Sequence, residues 1–222
     1  AYTQLFYTLR CEGAMGLGDW LDRALRYQDG PYPAMLAHGT PDPALESAAR
    51  RDIDTLVLLS NLDSEQFIDA LRELLPAQEY TSVLANLPRW TAGAPFSFDG
   101  LTQFYRCHGA GLFAKYRAFL WEDGHLIPVE EPDCPAPEEM LGYEMQRNQV
   151  IANTRALVEG HLVNNVLLFG DSGTGKSATV KSLISLPGFE SLRLIEVQKE
   201  GLADMPQLIR TLGGRRLRFI LF

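Results

Sequence analysis

The stretch Val166 to Ser177, VLLFGDSGTGKS, decides the fold. Its four leading residues, Val166 to Phe169, form an uninterrupted apolar run, which predicts a short central parallel strand buried on both faces. Gly170, Gly175, Lys176 and Ser177 then complete the pattern G-x-x-x-x-G-K-[ST]. A strand delivers the chain to a sharp turn, and a helix leaves it. Gly170, Gly173 and Gly175 let the backbone bend tightly and approach a ligand, so that successive amides can form a nest for phosphate oxygens. Lys176 would set its ammonium against β- and γ-phosphates, and the Ser177 hydroxyl would ligate Mg²⁺. The helix is expected from about Gly175 to Ile184 or Leu186, where Pro187-Gly188 stops it. The competing reading is a glycine-rich turn that happens to carry a lysine. Two geometric conditions separate them: the loop amides must face a common centre, and the apolar tetrad must lie in a parallel sheet.

Outside this stretch, composition sets bounds. The 222 residues suffice for one large or two modest domains, and 46 % of them are apolar. A net charge of -8, from 28 acids against 20 bases, favours solubility and weighs against a nonspecific nucleic-acid or anionic-membrane surface. Cys11, Cys107 and Cys134 are odd in number and widely spaced, which suggests neither a disulfide framework nor a metal knuckle. No apolar run reaches membrane-span length, and the start AYTQLFYTLR lacks a long signal-peptide core, so a cytoplasmic location is the default expectation.

Residues 1–128 read as a mostly helical N-terminal domain. Asp19 is placed to cap a helix through Leu21, Leu25 and Arg26. Asp42-Pro43 opens another, with Glu46 in its first turn and Leu45, Ala49, Ile53, Leu56 and Leu59 as a buried stripe. Asp63 and Gln66 form a capping box for a third, with Pro76 at its end. Leu84 to Gly100 lacks periodicity and reads as a long loop. Leu101 to Trp121 carries Leu101, Phe104, Tyr105, Leu112, Phe113, Tyr116, Phe119 and Leu120 at helical spacing, with Gly109 and Gly111 as weak points. Those aromatics are interleaved with few bases, which favours core packing over a nucleic-acid platform. Asp123-Gly124 marks a turn before an extended piece, His125 to Val129.

The proline-rich, acidic segment 129–140 reads as an inter-domain linker, and 141–222 as a second domain. There a helix from Tyr143 to Glu159 closes at Gly160, with Arg147, Asn148, Gln149 and Arg155 on its polar side. Leu192 to Val197 and Leu217 to Phe222 are the next strands, separated by a helix at Leu202 to Leu212. Strand, helix, strand, helix, strand is an α/β signature. Glu196, at the end of its strand, is the acid to consider beside a nucleotide, although one isolated acid makes a weak candidate.

These residues, with Gly142-Tyr143-Glu144, Asn153-Thr154, Glu159-Gly160, Asn164-Asn165, Leu194 to Val197 and Arg218 to Phe222, resemble a bacterial family of AAA+-like P-loop ATPases of unknown function, labelled DUF815. The resemblance implies a partial P-loop sheet with flanking helices. Leu217 to Phe222 would be the Walker B strand, cut before its paired aspartates, with the sensor, arginine-finger and lid parts also beyond the chain. It further implies ATP or ADP with Mg²⁺ on Gly170, Asp171, Ser172, Gly173, Thr174, Gly175, Lys176, Ser177 and Ala178, with Thr174 and Ala178 acting mainly through their amides. Family members often carry Arg where Ser172 stands. The segment Pro128 through Tyr143 would pass near the adenine, and the full-length protein would form homo-oligomers.

The leading expectation is therefore nucleotide binding by the first part of an ATPase that acts on a protein or other macromolecular partner. Hydrolysis is expected when the missing acids are present. A small-molecule kinase built on the same loop is one alternative, although the basic run Arg215 to Arg218 has a turn-like setting that favours a solvated face. The other is a noncatalytic interaction module.

Overall fold

A computed structural model describes residues 1–39, 42–75, 80–135, 140 and 142–222. Pro41, the helix stop Pro76, residues 136–139 of the expected linker and Leu141 lie outside the described residues. The chain divides into two compact units, Ala1–Tyr32 with Pro41–Phe104, and Pro33–Thr40 with Tyr105–Phe222. This division falls at Phe104–Tyr105, ahead of the segment 129–140.

The first seven helices are α1 (Tyr2–Cys11), α2 (Leu17–Tyr27), α3 (Pro31–His38), α4 (Pro43–Ser60), α5 (Ser64–Leu74), α6 (Thr81–Ala85) and α7 (Phe98–His108). Local chemistry starts two of them as expected. The Asp42 carboxylate accepts from the amides of Ala44 and Leu45 at 2.9 and 3.2 Å, which satisfies donors the first turn of α4 cannot pair. Asp63 accepts from the Gln66 amide at 2.9 Å while Gln66 returns a bond to the Asp63 amide at 3.0 Å. Asp19 departs from expectation: it lies within the first turn of α2 and accepts from the amides of Met15 and Ala94. It thereby ties down the long loop, in which Trp90 and Phe96 are buried. Glycine permits the approach, since a Cβ on Gly16 would come within 1.9 Å of the Thr91 carbonyl oxygen.

The expected single helix over Leu101 to Trp121 is corrected. After α7, Gly109 and Gly111 turn the chain through positive φ (79° and 55°). A short α8 (Leu112–Lys115) follows, and then strand β1 (Ala118–Glu122). Asp123 and Gly124, both at positive φ, make the tight turn that suits a two-residue hairpin, and β2 (His125–Val129) pairs antiparallel to β1. Next come α9 (Glu144–Val158), α10 (Lys176–Ser182), β3 (Leu192–Val197), α11 (Met205–Leu212) and β4 (Arg218–Leu221). The sheet order is β2-β1-β3-β4, with β3 parallel to both β1 and β4. Alternation along the strands builds two cores. Phe119, Trp121 and Ile195 pack with Leu208 and Leu212 of α11, whereas Ala118, Leu192 and Leu194 pack with Val150 of α9 and with Leu183 and Ile184 after α10. This second unit is α/β, and the molecule is mostly helical.

The apolar tetrad is the main correction. Val166 to Phe169 join no strand; Val166, Leu167 and Phe169 are 50, 85 and 88 % exposed, and Leu168 alone of the four is partly buried. A strand requires a neighbour to complete its ladder. β4 is one edge of the sheet, and a groove of about 440 Å³ is lined by its residues Phe219, Ile220 and Leu221 on one part and by Val163, Asn164, Asn165, Val166 and Leu168 on another. Apolar composition alone therefore fails to place the tetrad in the sheet.

Candidate functional site

The loop between the tetrad and α10 is built on backbone freedom. Gly170, Gly173 and Gly175 have φ of 142°, 80° and 81°, values that L side chains rarely adopt. Around Gly173 and Gly175 an added Cβ would meet nothing within 4 Å, so conformation, not crowding, selects glycine there. Gly175 turns the chain into α10, whose first residue is Lys176.

The Lys176 ammonium folds back across this loop. It donates to the carbonyls of Gly170 and Asp171 at 3.0 and 2.7 Å and lies 3.3 Å from the Thr174 hydroxyl. Thr174 in turn donates to the Asp171 carbonyl at 2.9 Å. The residues Gly170 to Lys176 thus close into a ring about one positive charge. Phosphate oxygens are stronger acceptors for an ammonium than carbonyls, so the same group can transfer its donors to an entering anion. Ser177 is exposed in the first turn of α10, and its hydroxyl makes no hydrogen bond among the described residues. Asp171 and Ser172 are exposed, and Ala178 is half-buried in the same first turn.

A cavity of about 250 Å³ adjoins the loop. Gly173, Thr174, Gly175 and Thr179 line one part of it, and Gly142, Tyr143 and Arg147, where α9 begins, line another. The volume is close to the lower bound of small-molecule pockets, about 300 Å³. Tyr143 adopts a left-handed conformation (φ 53°, ψ 28°) and leaves its side chain 62 % exposed. Arg147 donates from Nη1 to the Gly142 carbonyl at 3.1 Å. Of the segment expected near a base, the end at Gly142 and Tyr143 reaches the loop cavity. Pro132 to Cys134 instead line a separate cavity with Lys181 and Glu196. Sequence reading placed Arg147 on the polar side of its helix and missed its place at the loop; the register of α9 against α10, which brings it there, leaves no local signal.

Glu196 does not reach this cavity. Its carboxylate pairs with Lys181 of α10 at 3.4 Å, and both line the separate cavity with Cys134. Burial pushes the Cys134 thiol above its ordinary value, and Lys181 opposes that shift. Among the described residues no group of three or more His, Cys, Asp or Glu could hold a metal ion, and no helix is long and apolar enough to cross a membrane. The cysteines are free.

No curated protein and no solved structure matches the chain. Residues 114–222 match the model of the family described as "Protein of unknown function (DUF815)", so the stretch that runs from α8 through the glycine loop to the end of β4 is similar to that family.

Proposed function

We propose that the chain binds a nucleoside polyphosphate, ATP or ADP with Mg²⁺, on the loop Gly170 to Ala178. The observation that carries this reading is the clasp of Gly170, Asp171 and Thr174 around the Lys176 ammonium, in a loop turned by three glycines at positive φ. Of the two geometric conditions, the tetrad's place in a parallel sheet is not met, which counts against a nucleotide site; what supports the reading is the loop itself, its Lys176 clasp and its three glycines at positive φ.

In this reading Lys176 takes the β- and γ-phosphates, the amides of Gly173 to Ala178 line the phosphate chain, and Ser177 ligates Mg²⁺. The proposal extends to binding and omits turnover, because Glu196 is engaged by Lys181 in another cavity. As part of an AAA+-like ATPase, the site would couple nucleotide state to action on a macromolecular partner.

Titration calorimetry with Mg-ATP and Mg-ADP tests the reading. Wild-type chain should bind both. Lys176→Ala removes charge-assisted bonds of about 1.5–3 kcal/mol, so its affinity should fall about tenfold or more. Equal affinity in Lys176→Ala would remove the assigned site.

A further inference from the structure

The cavity beside the loop is lined by a cation outside the glycine pattern, Arg147, whereas Lys176 is not among the residues that line it. Arg147 lies one turn into α9 and lines the same cavity as Gly173, Thr174 and Gly175. One of its donors is occupied by the Gly142 carbonyl. A guanidinium carries five N-H donors in a fixed fork, so most of them remain for a ligand. The bond to Gly142 also restrains the side chain, which lowers the entropy lost when it takes a ligand.

We infer that Arg147 takes phosphate oxygens of the bound nucleotide, from the α9 side of the cavity, as a partner to Lys176. This rests on the nucleotide reading above. Three features point to phosphate as its target. The surrounding loop walls are glycine and threonine, which offer main-chain amides and hydroxyls, and no carboxylate lines the cavity among the described residues. The guanidinium fork matches two oxygens of one phosphate group, which a lysine cannot do. The chain's charge of -8 opposes any polyanion at long range, so a binding site must gather cations locally, within the roughly 8 Å that physiological salt leaves unscreened.

The test compares wild type, Arg147→Gln, Arg147→Lys and Lys176→Ala in titrations with Mg-ADP and with adenosine at two salt concentrations. Arg147→Gln should weaken ADP by about tenfold to a hundredfold and leave adenosine unchanged. The salt dependence of ADP binding should become shallower than in wild type. Arg147→Lys, which keeps the charge and loses the fork, should recover part of the affinity. Wild-type ADP affinity in Arg147→Gln, with Lys176→Ala impaired, would overturn the inference and leave the nucleotide reading intact. An equal loss for adenosine and ADP would also overturn it, since the arginine would then act by holding the Gly142 turn. Absence of ADP binding by the wild type would remove both. If Arg147→Gln lowers the thermal midpoint of the free protein, the Arg147→Lys titration decides: ADP affinity equal to wild type counts against bidentate contact, and partial loss supports it.

Discussion

Arg193 shows how one residue can hold several elements at once. It is fully buried in β3, and its guanidinium donates from Nε to the Phe113 carbonyl at 2.6 Å, from Nη2 to His108 at 2.6 Å, and from Nη1 to Glu190 and Leu192 at 2.8 Å. Carbonyls at the end of a helix have no partner within it. His108 ends α7 and Phe113 lies in α8, so the arginine ties the irregular chain between them to the sheet. Burial, with Arg117 adding repulsion, pushes the guanidinium pKa down to about 9, which records the cost of holding this charge out of water. Removing the side chain strands two buried acceptors, the carbonyls of Phe113 and Leu192, each worth about 1–3 kcal/mol, and two partly buried ones, those of His108 and Glu190. Arg193→Met should therefore destabilise the protein by about 3 kcal/mol or more in urea unfolding, and Arg193→Lys by more than about 1 kcal/mol because it loses the fork. A loss below about 0.5 kcal/mol in Arg193→Met, the range of an ordinary surface change, would show that the segment around Gly109 and Gly111 is held by other contacts.

At the scale of elements, what could be read from the sequence was what local chemistry decides. The caps of α4 and α5, the Asp123-Gly124 turn and the apolar run of β3 each depend on neighbours within a few residues, and each forms where expected. Strand β1 was hidden because the aromatics from Leu101 to Trp121 also fit a helical stripe. Two glycines at positive φ and pairing of Ala118 with Leu194 settle it as a strand, and that pairing is a contact between distant parts of the chain. The tetrad failed for the complementary reason, since its composition suits a buried strand but β4 lies across a groove. The same division runs through the site: Gly170 to Ser177 were legible as a local pattern, whereas Arg147 enters only through packing of α9. A substitution makes the exposed state of the tetrad measurable. Leu167→Ser should cost less than about 0.5 kcal/mol, as at a surface position, because Leu167 is 85 % exposed. In a central strand buried on both faces, truncating leucine costs about 2–5 kcal/mol; a loss of that size would return the tetrad to a packed setting.

For the whole molecule, the division into two units sets how ligand energy can spread. Each unit has a buried cluster of its own, Leu9, Ala14 and Trp90 in the first, and the two faces of the sheet in the second. The candidate loop, α9 and β3 all belong to the second unit. A ligand that binds the native state stabilises what must unfold to release it, by about 2.7 kcal/mol at a concentration of 100 times Kd. Amide exchange of the complete chain, resolved by segment, reads this directly, since the slowest amides of a cooperative unit exchange through its global opening. Saturating Mg-ADP should slow the slowest amides of β3 by up to about a hundredfold, a factor that follows from the same linkage. Amides in Gly170 to Thr179 and the first turn of α9 should gain protection through direct contact. The slowest amides of α4 and α5 should exchange at their ligand-free rate, because their opening leaves the second unit's core intact. Equal slowing in α5 and β3 would show one cooperative molecule in place of two units, and unchanged exchange in β3 would place the ligand away from the native second unit.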